Sequence, residues 1–141
     1  MGGFAWVEER ESDIYTLVKT RAVRNLKTRF PNIKFTTNEG TGANSTQYPT
    51  VYIHAIEGVE RGLDFENRNV NAFQFFFQIE VTCSKEQGRE STRAVVSEVL
   101  DQFKKLRFTV RGKPIYDSDT SIDTAFAKVS RTLGENDNVQ V

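Results

Sequence analysis

Cysteine and histidine, the side chains that do most nucleophilic, acid–base and metal-binding work, occur once each in this chain of 141 residues, as Cys83 and His54. One cysteine cannot close an internal disulfide, which excludes a disulfide-stapled scaffold. Two nitrogen or sulfur ligands also fall short of the three or four that a zinc site requires. No apolar run approaches the ~20 residues of a membrane span, so no membrane partner is expected. An excess of charge is missing too: nineteen basic and nineteen acidic residues leave a formal net charge of +0. No global field therefore selects nucleic acid or anionic lipid, and the missing repulsion mildly favours self-association. The opening MGGFAWVEERES has no basic segment followed by an apolar core, so no secretory leader is expected. Trp6 stands where an acylation signal wants Ser or Thr.

What the chain does have is one long alternating stretch, NAFQFFFQIEVTCS, from Asn71 to Ser84. Phe73, Phe75, Phe77, Ile79, Val81 and Cys83 fall on odd positions. Gln74, Gln78, Glu80 and Thr82 fall on even ones, with Phe76 the large apolar exception. Period-two alternation of this kind predicts a long strand with one buried face. A lone phenylalanine among polar neighbours predicts that the even face meets another surface, a second copy of the protein.

The other elements are placed around that strand. Ile14, Val18, Ala22, Leu26 and Phe30 recur every four residues, which predicts a helix over 12–30, with Ser12 as its N-cap and Phe30-Pro31 as its stop. Its acids come first and its bases last, matching the helix dipole. Arg21, Arg24 and Lys27 form a basic run that is read as a solvated face and, more sharply, as a phosphate-contacting strip. A short strand over 33–37 leads into NEGTGANSTQ, a loop of small and polar residues from Asn38 to Gln47. Its Gly40-Thr41-Gly42 lacks the lysine of a phosphate cradle. Asn44 begins a glycosylation sequon, read as chance without a leader. PTVYIHAIE, from Pro49 to Glu57, predicts an inner strand with bulk on both faces.

Gly58 to Val70 is either an arm of two projecting strands or a wide charged loop with Leu63 and Phe65 as anchors, suited to docking on another protein. Ser84 to Gln87 has the form of a capping box, followed by a helix over 85–107. Val95, Val96, Val99, Leu100, Phe103 and Leu106 form the stripe of that helix that covers the odd strand face. Short strands are expected at 108–111 and 115–116, a final strand at 124–133, and an unstructured polar tail over 134–141. The fold class that results is α+β. Two helices pack on one face of a four- to five-stranded, mostly antiparallel mixed sheet, in a single domain whose core spans 12–133 and whose N-terminal segment is 1–11.

Chemistry is thin along this outline. Cys83 and His54 lie on strands that could be neighbours, which makes a nucleophilic pair conceivable, yet Cys83 falls in the apolar register of a buried hydrophobe. Asp117, Asp119 and Asp123 cluster near the last turn, as turn formers rather than cation ligands. No catalytic residue, cofactor or metal is expected.

Several runs of residues carry a resemblance: Tyr48-Pro49-Thr50-Val51-Tyr52-Ile53, Arg61-Gly62-Leu63-Asp64-Phe65-Glu66-Asn67, Val70-Asn71-Ala72, Gln78-Ile79-Glu80-Val81 and Lys105-Leu106-Arg107-Phe108. With the order of elements over about 13–133, they resemble the tail terminator (tail completion, minor tail) proteins of long-tailed bacteriophages. The resemblance implies a non-enzymatic virion protein at the tail–head junction, made in the host cytoplasm. It implies a homohexameric ring that caps the tail tube, stops its polymerisation and joins the tail to a head-side neck protein, with DNA only in transit through the hole. A subunit or tube interface is expected at Arg61, Leu63, Asp64, Phe65, Glu66, Arg68 and Phe76, and at Asn38, Glu39 and Asn44. Arg21, Arg24 and Lys27 are the candidates for contact with passing DNA. The alternatives are another neck component, such as a head-completion or adaptor protein, and a small α+β enzyme using His54 or Cys83.

Overall fold

A computed structural model describes residues 5–37, 48–63 and 70–140, with side chains described over these ranges except 57–63 and 70–71. Two helices, α1 (Ala5–Leu26) and α2 (Gly88–Lys105), accompany six strands: β1 (Lys34–Thr36), β2 (Thr50–Leu63), β3 (Val70–Ser84), β4 (Thr109–Val110), β5 (Ile115–Ser118) and β6 (Ile122–Gly134). The strands form one sheet in the order β1-β2-β3-β6-β4, with β5 beside β4 on the same edge of β6. Only β1 and β2 run parallel; the remaining pairs are antiparallel. This is the expected α+β architecture with one strand more than the upper expectation, the brief pairing expected at 115–116 being a strand of its own, β5, on the edge of β6.

The alternation in β3 does what its period requires. Phe75, Ile79, Val81 and Cys83 are fully buried and Phe73 and Phe77 nearly so. Both helices lie on this face. Trp6 of α1 meets Phe75 edge-on at 6.1 Å, and Phe103 of α2 packs on Phe77 at 5.6 Å. Phe108 closes a three-ring cluster, 5.9 Å from Phe77 and 5.2 Å from Phe103.

Several boundaries differ from expectation. α1 begins at Ala5, so Ser12 is an exposed residue inside the helix and not its cap. The stripe of Ile14, Val18, Ala22 and Leu26 extends one heptad back to buried Val7, which carries most of the 1–11 segment into the core helix. α1 ends at Leu26; Phe30 stays buried after a turn that its N–H closes on the Leu26 carbonyl. The Ser84–Gln87 pair makes both reciprocal bonds, at 3.1 and 3.3 Å, but these tie a turn, and α2 opens one residue later at Gly88. The described part of the Gly58–Val70 connection is strand, and it stays within the sheet, since β6 runs beside β3 as far as Ala72; residues 64–69 lie outside the described residues. β2 continues to Leu63 and pairs there with Val70, past an irregularity between Ile56 and Val59.

The tail also departs from the expected flexible segment. Val139 is buried, and the half-buried Arg131 guanidinium donates to the Val139 carbonyl at 2.7 Å and to that of Leu106. Arg10 on α1 donates to the carbonyls of Glu135 and Asp137. One apolar anchor and three backbone acceptors therefore hold a segment whose composition is that of a loop.

α2 ends in a Schellman arrangement. Phe108 N–H bonds the Phe103 carbonyl at 3.0 Å and Arg107 N–H that of Lys104 at 2.8 Å, with the Phe103–Phe108 contact as its hydrophobic clasp. The left-handed position falls on Arg107, with φ of 65°, where glycine is the unstrained choice. A left-handed side chain costs roughly 1–2 kcal/mol, and glycine's extra freedom in the unfolded chain takes back about 0.5–1 kcal/mol. Arg107→Gly should therefore stabilise the fold by about 0.5–1 kcal/mol, read as a Tm rise of about 2–4 °C.

Candidate interaction surface

With both helices on the odd face of β3, no helix among the described residues lies on the even face. The register puts Ile56 beside Phe76, and on the far side of β3 places Phe126 beside Glu80 and Ser130 beside Phe76. Ile115 of β5 pairs with Phe126 and is the most exposed large apolar side chain described, at 67%. The face thus carries two apolar spots, Ile56–Phe76 and Phe126–Ile115, separated by Gln78 and Lys128. Phe76 is half-buried, with the Arg111 guanidinium 6.0 Å over its ring. Tyr52 and His54 stack on the same face at 4.5 Å.

One edge of the sheet is also short of cover. β1 pairs only with Thr50 to Tyr52, so among the described residues the outer edge of β2 from Ile53 to Leu63 has no strand on it. Such an edge is a template for strand addition.

The structure places the expected interface residues unevenly. Phe76 sits where its parity put it. Arg61 and Leu63 lie within β2, opposite Ala72 and Val70. Asp64, Phe65, Glu66, Arg68, Asn38, Glu39 and Asn44 lie outside the described residues.

The basic run does not form one strip. Arg21 and Arg24 line a groove with Asn25 of α1 and with Gln102 and Lys105 of α2. Lys27 lines a different hollow, with Lys19, Val23 and Lys34. Successive positions three apart rotate around the helix by about 60°, which takes Lys27 out of the groove. Lys105, which is not part of the apolar stripe of α2, is the residue that joins Arg21 and Arg24. No signal local to its own helix points to α1.

The candidate chemical groups are not brought together. Cys83 lies on the helix-covered face, whereas His54 pairs with Gln78 and stacks on Tyr52 on the other. The sheet itself separates thiol and imidazole. Burial, opposed by a hydrogen bond with Thr92, raises the thiol's pKa, so Cys83 should react with a thiol reagent only as fast as the protein unfolds. Native-state labelling in and out of denaturant checks this.

Asp123 is a structural group. It accepts a hydrogen bond from the Ser118 hydroxyl and lies 3.5 Å from the Lys85 ammonium. The Ser118 bond foremost, against the opposing effect of burial and with help from Lys85 and Arg89, holds its carboxyl below the usual range. A depressed folded pKa contributes stability above the unfolded value, near about 4, that is lost as pH falls through the folded one. Asp123→Asn should therefore flatten the acid limb of a stability–pH profile.

A cleft between α1 and β2 is lined by Glu8, Glu11, Ser12 and Tyr15 of the helix and by Ile53, Ala55 and Phe77 on the helix-covered face of the sheet. Burial, then the charge of Glu8, raises the Glu11 carboxyl. Among the described residues no group of three or more His, Cys, Asp or Glu side chains is placed to hold a metal. Among the described residues no helix is long and apolar enough to cross a membrane. No protein-family model matches the chain, and no curated protein matches it.

Proposed function

We propose that this chain is a ring-forming structural subunit of the phage tail terminator kind. Copies join head to tail into a homohexamer that caps a tail tube, ends its growth and presents a surface to the head-side neck protein. DNA passes through the hole without chemistry by the ring. The observation that carries this reading is the sheet face without a helical cover among the described residues, with Ile56–Phe76 and Phe126–Ile115 set in a polar surround. Apolar spots with a polar rim are the anatomy of a protein interface. The β2 edge is a second, different surface, and a closed ring needs two unlike patches that meet across each subunit boundary. The resemblance in the residue runs around β2, β3 and the end of α2 supplies the family.

The test is solution mass, alone and with tube protein. A species of about six times 16.1 kDa, on the order of 97 kDa, supports the ring. A chain that stays at one-sixth of that mass both free and with assembled tube overturns it. Retention by the head-side ring alone, with no affinity for the tube, would move the protein to another place in the neck.

A further inference from the structure

We propose that the groove between α1 and α2, with Arg107 two residues past its Lys105 wall, binds the phosphodiester backbone of a nucleic-acid duplex. This inference does not rest on the ring reading, since it concerns the helical layer and not the open sheet face. Every lining side chain is polar: Arg21, Arg24, Asn25, Gln102 and Lys105. Arg21 donates to the neutral Gln140 carbonyl oxygen at 2.8 Å. Among the described residues, Arg24, Lys105 and Arg107 take part in no ion pair. The carboxylate bonded to the groove's wall, Glu98, accepts from the amides of Asn25 and Gln102 and not from these cations. The side chains of Arg24, Lys105 and Arg107 are exposed.

Arg107 supplies an independent observation. It holds a left-handed backbone position that glycine would occupy without strain, and its side chain is exposed, so packing does not account for the arginine. Its charge also acts on nearby Arg131, whose pKa is lowered first by burial and then by Arg107. The chain thus keeps a cation where both backbone strain and like-charge repulsion oppose it. Outliers of this kind mark sites where the side chain has work to do.

The lining decides which polyanion fits. A protein partner needs an apolar or aromatic anchor at the centre of its contact, and none lines this groove. Single-stranded nucleic acid needs rings on which bases stack, and none is present either. Backbone phosphates need only cations and polar donors, and guanidinium forks match their oxygens in pairs.

The test is fluorescence anisotropy of the intact protein with a short labelled duplex of mixed sequence, from about 50 to 200 mM salt. Four cations on four phosphates give a log–log salt slope of about −3.6. Arg24→Ala and Lys105→Ala should each reduce that slope by about one, equally for every sequence. Arg107→Gly should weaken binding while raising Tm, a combination that mere loss of folding does not produce. Absence of saturable binding at the lowest salt overturns the proposal. So does a slope unchanged in the Arg24→Ala/Lys105→Ala variant with its Tm intact. Equal affinity for a polyglutamate peptide, lost in the same variants, would reassign the groove to an acidic protein segment.

Discussion

Phe103→Ala is expected to remove about 3–5 kcal/mol of stability, the range for deleting a buried aromatic ring. A domain of this size holds roughly 5–15 kcal/mol in all, so the variant should sit close to its unfolding threshold. The loss is placed at the upper end because the ring serves two elements at once. It packs between Phe77 and Phe108 at 5.6 and 5.2 Å, and it is the inner half of the hydrophobic clasp that ends α2. Removing it leaves a cavity over β3 and loosens the turn that carries Arg107. In urea, with a slope of roughly 2 kcal/mol/M, the midpoint should fall by about 2 M. A fall of less than about 0.5 M would mean that the three-ring cluster does not hold α2 to the sheet.

Phe76→Asp tests the assembly reading with a comparably large effect of a different kind. Phe76 is half-buried and outside the helix-covered core, so the isolated subunit should keep its Tm within a few degrees. Arg111, which now lies over the ring, can meet the new carboxylate. In a ring, each copy would instead have to dehydrate a charge, at several kcal/mol per site. The expected result is a folded subunit of 16.1 kDa and no closed assembly. Rings that form normally from this variant would show that the open sheet face is not the surface joining the copies.

The two substitutions act on opposite faces of β3, Phe103 through its contact with Phe77 and Phe76 directly. The odd residues of β3 and the stripe of α2 are legible because strand and helix periods are written in side chains a few positions apart. The same local signal marks Phe76 as the exception on its face, and the structure keeps it there. Where a signal is local but its origin is ambiguous, the boundary slips. Ser12 has the chemistry of a cap, but Val7 continues the stripe behind it, and burial of Val7 outweighs the cap. The tail was not legible at all. GENDNVQV has the composition of a loop, and its one anchor, Val139, acquires meaning only from distant side chains, Arg10, Arg21 and Arg131, that hydrogen-bond the tail.

By its own residues, then, the sequence determines the element types, the α+β class, which face of β3 is buried and the scarcity of nucleophilic chemistry, since each of these depends on neighbours along the chain. Tertiary structure alone decides that Cys83 and His54 stand on opposite faces, that Lys105 joins Arg21 and Arg24 while Lys27 does not, and that the tail is docked. Those facts depend on strand register and on how two helices lie side by side. Register and helix placement are settled by burial summed over the whole core, and no short window of residues contains that sum.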